Sequence, residues 1–481
     1  MIKLLGIVIV SFSVVACSYF APDYHKPQVN IPDKWSANNL NITPISESLP
    51  YLAWWQKFND PELNYYIESS LKNNLSIQGA KLSLDAAQSQ LSTVKLNWIP
   101  MLNLFGGTIG GGSQNSFAPI GNLGLIGNSG AFFAFLPAYT LNVFTNYTLQ
   151  KQAEYNLEAA KNAELSIRLG IIGQVTSSYF TNLAQEQLIE QLIELDKDAN
   201  HLVEIVTALD KKGLSNNISI EELKSKQQLV QSQLIVAEKN FIATQNALRY
   251  LMNQTPGTLK FKTKFININP NQVIPGNLPV SVIASRPDVL EAEARLRAAN
   301  EGISVTSSAL LPSVNLNYFF AQGSGTQSFN NPVPINMSNS NQQSYYAAYA
   351  NWNISPSIFG QINVSKAVFK ASLNNYTQVV NIALHEVDNA LANNNAYNQK
   401  MKSDNQAYQN LNNIIQSKDA LYKRGLTTYM LVLMSKIEQD LMAIDITQTK
   451  LQQLVSLVVV YQSLGGGYQV EYESQVIRGI Q

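Results

Sequence analysis

Trp98-Ile99-Pro100-Met101-Leu102-Asn103-Leu104 returns later in the chain as Leu310-Leu311-Pro312-Ser313-Val314-Asn315-Leu316, and each copy follows an Ala-Ala pair, Ala86-Ala87 and Ala298-Ala299. The prolines stand 212 positions apart (312 − 100). A second pair of landmarks, Lys211-Lys212-Gly213-Leu214-Ser215 and Lys423-Arg424-Gly425-Leu426-Thr427, has glycines at the same spacing, 212 (425 − 213). Two unrelated landmarks with one offset make the chain a tandem duplication.

Each repeat has the same order of parts. A helix opens it, at Asp60-Pro61-Glu62, resuming after Asn74 up to Lys95, and at Ser285-Arg286-Pro287-Asp288, running to Ser307. Asp at the N-cap and Pro at the first helical position suit such starts. Two-residue alternation then predicts strands around Leu102 to Thr108 and Ala131 to Phe144, and again at Val314 to Phe320 and Tyr345 to Trp352. Gly-rich segments, Gly106 to Gly130 and Gln322 to Gln343, read as the loops between them. Long helices follow, roughly Thr148 to Asp210 and Ser357 to Arg424, and each turns at its Gly-Leu-Ser/Thr into another helix. About 60 residues at 1.5 Å each is ~90 Å, longer than compact domains use. Proline agrees: there is none between Pro137 and Pro256 or after Pro356, and five from Pro256 to Pro287. Leu188, Leu192 and Leu195, and Leu384, Val387 and Leu391, keep coiled-coil spacing.

The N-terminus carries one lysine, Lys3, then an apolar run from Leu4 to Val15 that ends in Val14-Val15-Ala16-Cys17. The run falls short of the about 20 residues a spanning helix needs. It reads as a lipoprotein signal peptide whose cleavage leaves Cys17 first and lipidated; an ordinary signal peptide with an incidental cysteine is the other reading. Ser18 in place of Asp points to the outer membrane. Cys17 is the only cysteine among 481 residues, so disulfides within the mature chain are excluded. Formal net charge is zero and 14% of residues are charged, which gives no electrostatic case for nucleic acid.

Four strands cannot close a membrane barrel, so a chain that spans a membrane with them must oligomerise. The alternative is a sheet in a soluble core. The parts are then a signal peptide 1–16, an extended lipidated segment 17–60, repeat one 61–254, a connector 255–284, repeat two 285–464 and a tail 465–481.

These residues resemble a family. Pro22-Asp23-Tyr24 close behind Cys17, Trp54-Trp55-Gln56-Lys57-Phe58-Asn59-Asp60-Pro61, Arg286-Pro287-Asp288-Val289-Leu290-Glu291-Ala292-Glu293, the Pro before each repeat's first strand and the two Gly-Leu-Ser/Thr turns look like an outer-membrane efflux protein of the TolC/OprM type, in its lipoprotein branch. The resemblance implies a mainly α fold with membrane β: a homotrimer whose twelve strands form an outer-membrane barrel continued by a periplasmic barrel of long helices. It implies a passive exit duct for small molecules, no enzyme and no cofactor, with a periplasmic adaptor and an inner-membrane pump, commonly of the resistance-nodulation-division type, as partners. Type I protein secretion shares this architecture, and a lipid-anchored coiled-coil scaffold without a pore is the reading from another class.

Under the resemblance, Gly213, Leu214, Ser215, Gly425, Leu426 and Thr427 fall at periplasmic tips that meet the adaptor, although the glycines suit tight turns regardless. Met430 and Met434, four apart on one helix face, fall at the periplasmic aperture. The family often has an acidic residue where Met434 stands. With Ser219 as its counterpart in repeat one, the expected ring is uncharged and gates by apolar constriction, with ordinary Met packing as the alternative. His25, His201 and His385 have no metal-ligand spacing, and the Gly clusters at Gly106-Gly107, Gly110 to Gly112 and Gly465 to Gly467 make no phosphate loop.

Overall fold

The computed structural model describes residues 23–29, 35, 49–109, 129–215, 217–270, 280–327, 337–352 and 355–470. Repeat one holds α1 (Pro61–Asn73), α2 (Leu75–Leu96), β1 (Met101–Ile109), β2 (Ser129–Leu141), α3 (Val143–Asp210) and α4 (Asn217–Leu251). Repeat two holds α5 (Pro287–Ser307), β3 (Ser313–Gln327), β4 (Met337–Asn351), α6 (Ser357–Lys423) and α7 (Tyr429–Ser463). The chain clusters into two compact units, and each takes pieces from both repeats.

The first unit comprises residues 1–27, 85–159 and 293–375. Its four strands form one antiparallel sheet in the order β1-β2-β3-β4, with β1 and β4 at the edges. On β3 the apolar side chains Val314, Leu316 and Tyr318 are exposed, while Ser313, Asn315 and Asn317 between them are half-buried. Thr140 Oγ1 donates to Asn315 Oδ1 across β2 and β3 at 2.8 Å. This alternation runs opposite to that of a soluble core sheet and matches a strand whose apolar face meets lipid. Two details differ from the expectation. Strand β2 ends at Leu141, so Phe144 belongs to α3, because the Asn142 side chain accepts from Thr145 N at 3.1 Å and starts the helix. The strands also extend into the Gly-rich segments expected to be loops. Gly106 and Gly107 pair with Phe133 and Phe132, and Gln322 to Gln327 pair with Met337 to Gln342. Pairing partners hold these residues in strands that their own propensities disfavour.

Leu91 and Val94 of α2 pack on Ala153 of α3 in this unit. The N-terminal segment is tied to α5: Lys26 Nζ lies 2.7 Å from Glu293 Oε2, Arg297 donates to the other oxygen at 2.5 Å, and the Arg297 guanidinium lies 5.5 Å from the Tyr24 ring centre. Burial pushes the Glu293 carboxyl up, and these two cations outweigh it and hold the group below the usual carboxylate range.

The second unit comprises residues 28–84, 160–292 and 376–481. Asp60 caps α1 as predicted, accepting from Glu62 N at 2.9 Å, and its second oxygen takes the Tyr179 hydroxyl at 2.6 Å. Asn74 separates α1 from α2. Its Oδ1 accepts from Ser76 N at 2.9 Å and its Nδ2 donates to Leu251 O, the last carbonyl of α4. Trp54 stacks on Tyr461 at 4.9 Å with both rings buried. Arg286 does more than precede a helix: its buried guanidinium pairs with Asp288 at 2.7 Å and Glu386 at 2.8 Å and donates to Ser463 O at 2.8 Å, capping the end of α7. Gly465 and Gly467 end that helix with φ of +69° and +88°.

Of the predicted seam positions, Leu188, Leu192, Leu195 and Val387 are buried. Leu384 and Leu391 are only half-buried, and the α6 seam runs through Tyr376, Val380, Ala383, Val387 and Ala390 instead. The small alanines let the backbone approach closely, so the seam falls one position before the larger leucines. Among the described residues no helix is long and apolar enough to cross a membrane.

Candidate functional site

The candidate site lies where α3 turns into α4 and α6 into α7, all within the second unit. Both turns are built alike. Gly213 N donates to Asp210 O at 2.8 Å and Leu214 N to Leu209 O at 3.0 Å; Gly425 N donates to Tyr422 O at 2.8 Å and Leu426 N to Leu421 O at 3.0 Å. The glycine φ values are +72° and +74°. Each turn thereby satisfies the last carbonyls of its helix through a left-handed residue, the role glycine fills without steric cost. A Cβ at either glycine would meet open space, so conformation and not crowding selects the residue.

The chain leaves each turn with an isolated leucine in water. Leu214 is 72% exposed and Leu426 70%. Ser215 and Thr427 behind them are half-buried, and Lys211, Lys212, Lys423 and Arg424 are exposed. The two turns therefore present the same surface, a basic pair followed by a projecting leucine.

Leu202, Val206, Ile220 and Leu433 form a buried cluster at this end of the helices, and Met430 packs against it. Met434 is exposed. The two methionines thus divide, Met430 into helix packing and Met434 to the surface. Ser219 is not the counterpart of Met434. Helices α4 and α7 start at Asn217 and Tyr429, again 212 apart, which pairs Met434 with Glu222. Glu222 is exposed and lies 2.7 Å from Lys226, so repeat one carries a charge at this position.

Further along α3 and α7 lies a cluster that the sequence reading missed. Lys436 Nζ is 2.7 Å from Asp198 Oδ2 and 3.2 Å from Glu194 Oε1. Asp440 shares this neighbourhood, and its carboxyl is pushed up to about 6 by burial first, with the charges of Asp198 and Glu194 adding to the rise and Lys436 opposing it. Positions 212 away from Asp198 and Asp440 hold Asn410 and Gln228, so the duplication gives no signal for the pair. His201 faces Glu204 at 3.3 Å and Tyr429 ring to ring at 5.9 Å. Among the described residues no cluster of His, Cys, Asp or Glu could hold a metal ion. Cys17 and Gly110 to Gly112 lie outside the described residues.

A duplicated chain with a four-stranded antiparallel sheet, apolar on the exposed face of β3, and paired long helices closed by twin turns has the parts of an outer-membrane channel protomer. The chain belongs to the outer membrane efflux protein family, whose pattern matches residues 66–254 and 278–466, one copy per repeat at the same 212-residue offset. It is 24% identical over 490 residues to the probable outer membrane lipoprotein SilC of Salmonella typhimurium, covering 97% of this chain and 99% of that one. It is 25% identical over 480 residues to the cation efflux system protein CusC of Escherichia coli O6:H1, covering 96% and 98%. The outer-membrane channel OprN superposes with a TM-score of 0.77 at 20% identity, over 93% of this chain and 99% of OprN. The protein is an outer-membrane component of an efflux system, a conduit and not an enzyme.

Proposed function

We propose that three copies assemble into one duct, a twelve-stranded outer-membrane barrel continued by a periplasmic barrel of α3, α4, α6 and α7. The sheet has two edge strands, and an unpaired edge in hydrocarbon costs several kcal/mol per backbone group. Pairing β1 of one copy with β4 of the next removes both edges. Lipid on Cys17 adds a tether, supported by Val14-Val15-Ala16-Cys17 and by the Lys26–Glu293 pair that fastens the following segment. Cargo is small molecules chosen by the inner-membrane pump, here of the resistance-nodulation-division type, and handed on through a periplasmic adaptor.

The observation that carries the docking reading is the twin tips. Leu214 and Leu426 are too exposed to serve the fold, and two turns of the same geometry present them beside basic pairs. Six such tips in a trimer would offer an adaptor a regular ring. The aperture beside them would be mixed, with Met434 and Glu222 alternating, so cation attraction is retained at half the positions.

Leu214→Asp and Leu426→Asp together test this. The double variant is expected to reach the outer membrane at normal abundance, because neither leucine packs, and to lose export of a fluorescent pump substrate. Normal export by that variant contradicts tip docking.

A further inference from the structure

Away from the tips, α3, α6, α7 and the segment 265–270 line a cavity of about 860 Å³, all within the second unit. Its wall contains two lysines, Lys402 and Lys450, and no carboxylate; Tyr408 is its other titratable group. Lys450 Nζ donates to Phe265 O and Ile266 O at 2.9 Å each and lies 5.1 Å from the Phe265 ring centre. Among the described residues no carboxylate stands within ion-pairing distance of it. An ammonium has three donors, so one is left after the two carbonyls. Burial, with no opposing charge, pulls this amine down to about 8. A desolvated cation without a counter-charge carries a cost that an incoming anion relieves.

The remainder of the wall states what else the anion should bear. Gln187 and Gln191 of α3 and Asn395, Asn398 and Asn405 of α6 line it. Carboxamides donate and accept at once, which suits hydroxyl groups. Met401 and Ile446 add apolar surface. We propose that this cavity is a binding site for a carboxylate-bearing, polyhydroxylated ligand, the chemistry of an acidic sugar, with the carboxylate paired to Lys450. None of its lining residues belongs to the tips.

Calorimetric titration of the detergent-solubilised full-length protein with N-acetylmuramic acid, and in parallel with N-acetylglucosamine, tests the assignment. A charge-assisted hydrogen bond to Lys450 predicts that the acidic sugar binds about tenfold tighter or better. Lys450→Met should erase that preference and Lys450→Arg should keep it. Binding of the acidic sugar by the unaltered protein should weaken as pH rises through about 8, because the Lys450 amine then loses its proton and no carboxylate lines the wall. Equal affinity for the two sugars, absence of binding, or a preference that is flat in pH overturns the proposal. The pH profile decides even where Lys450→Met fails to fold.

Discussion

Asp440 takes up a proton in the folded chain that the unfolded chain has already released. Its folded value of about 6 lies above the ordinary carboxylate range, so its contribution to stability is complete below about pH 4 and is lost as pH rises through about 6. Asp440→Asn is therefore expected to raise the melting temperature at neutral pH, by the equivalent of about 1 kcal/mol after discounting for the partly hydrated site. It should also flatten the pH dependence between about pH 4 and pH 6; an unchanged slope contradicts the assignment. Glycines give a second contrast at this scale. A Cβ at Gly467 would fall 2.5 Å from a Trp55 ring carbon and 3.0 Å from Leu52 O, in addition to its positive φ. Gly467→Ala is expected to cost about 2–4 kcal/mol, whereas Gly213→Ala, in open space, costs only its φ, about 1 kcal/mol. Thermal denaturation of the two variants checks the order.

Among the elements, what the residues announced was punctuation. Asp60-Pro61, Arg286-Pro287 and the twin Gly-Leu turns mark helix ends through local chemistry, which is why their positions were legible before the structure. Strand extent was not. Ser338 to Gln343 is polar throughout and shows no alternation to read, yet it pairs residue for residue with Ala321 to Thr326. The α6 seam was misplaced for a related reason, since alanine is too small to mark an apolar stripe but is the residue that close helix packing needs. The acidic pair was invisible, because Asp198 and Asp440 meet only once α3 and α7 pack side by side. The tip prediction also belongs to this scale: because the turns are equivalent, Leu214→Asp and Leu426→Asp alone should each reduce export less than both together.

The whole molecule follows from duplication. One repeat supplies two strands and a pair of long helices, and two repeats supply a sheet that still has two free edges. Lipid at Cys17 is on this account a supplement to insertion. Cys17→Ser behind a signal peptide of the non-lipidated kind should still yield outer-membrane trimers by crosslinking; recovery as a soluble periplasmic protein would mean that the strands do not hold the chain in the membrane. Single-channel recording of the purified full-length protein in planar bilayers tests the duct most directly. Discrete conductance steps are the predicted result, and a verified inserted protein that passes no current would contradict it.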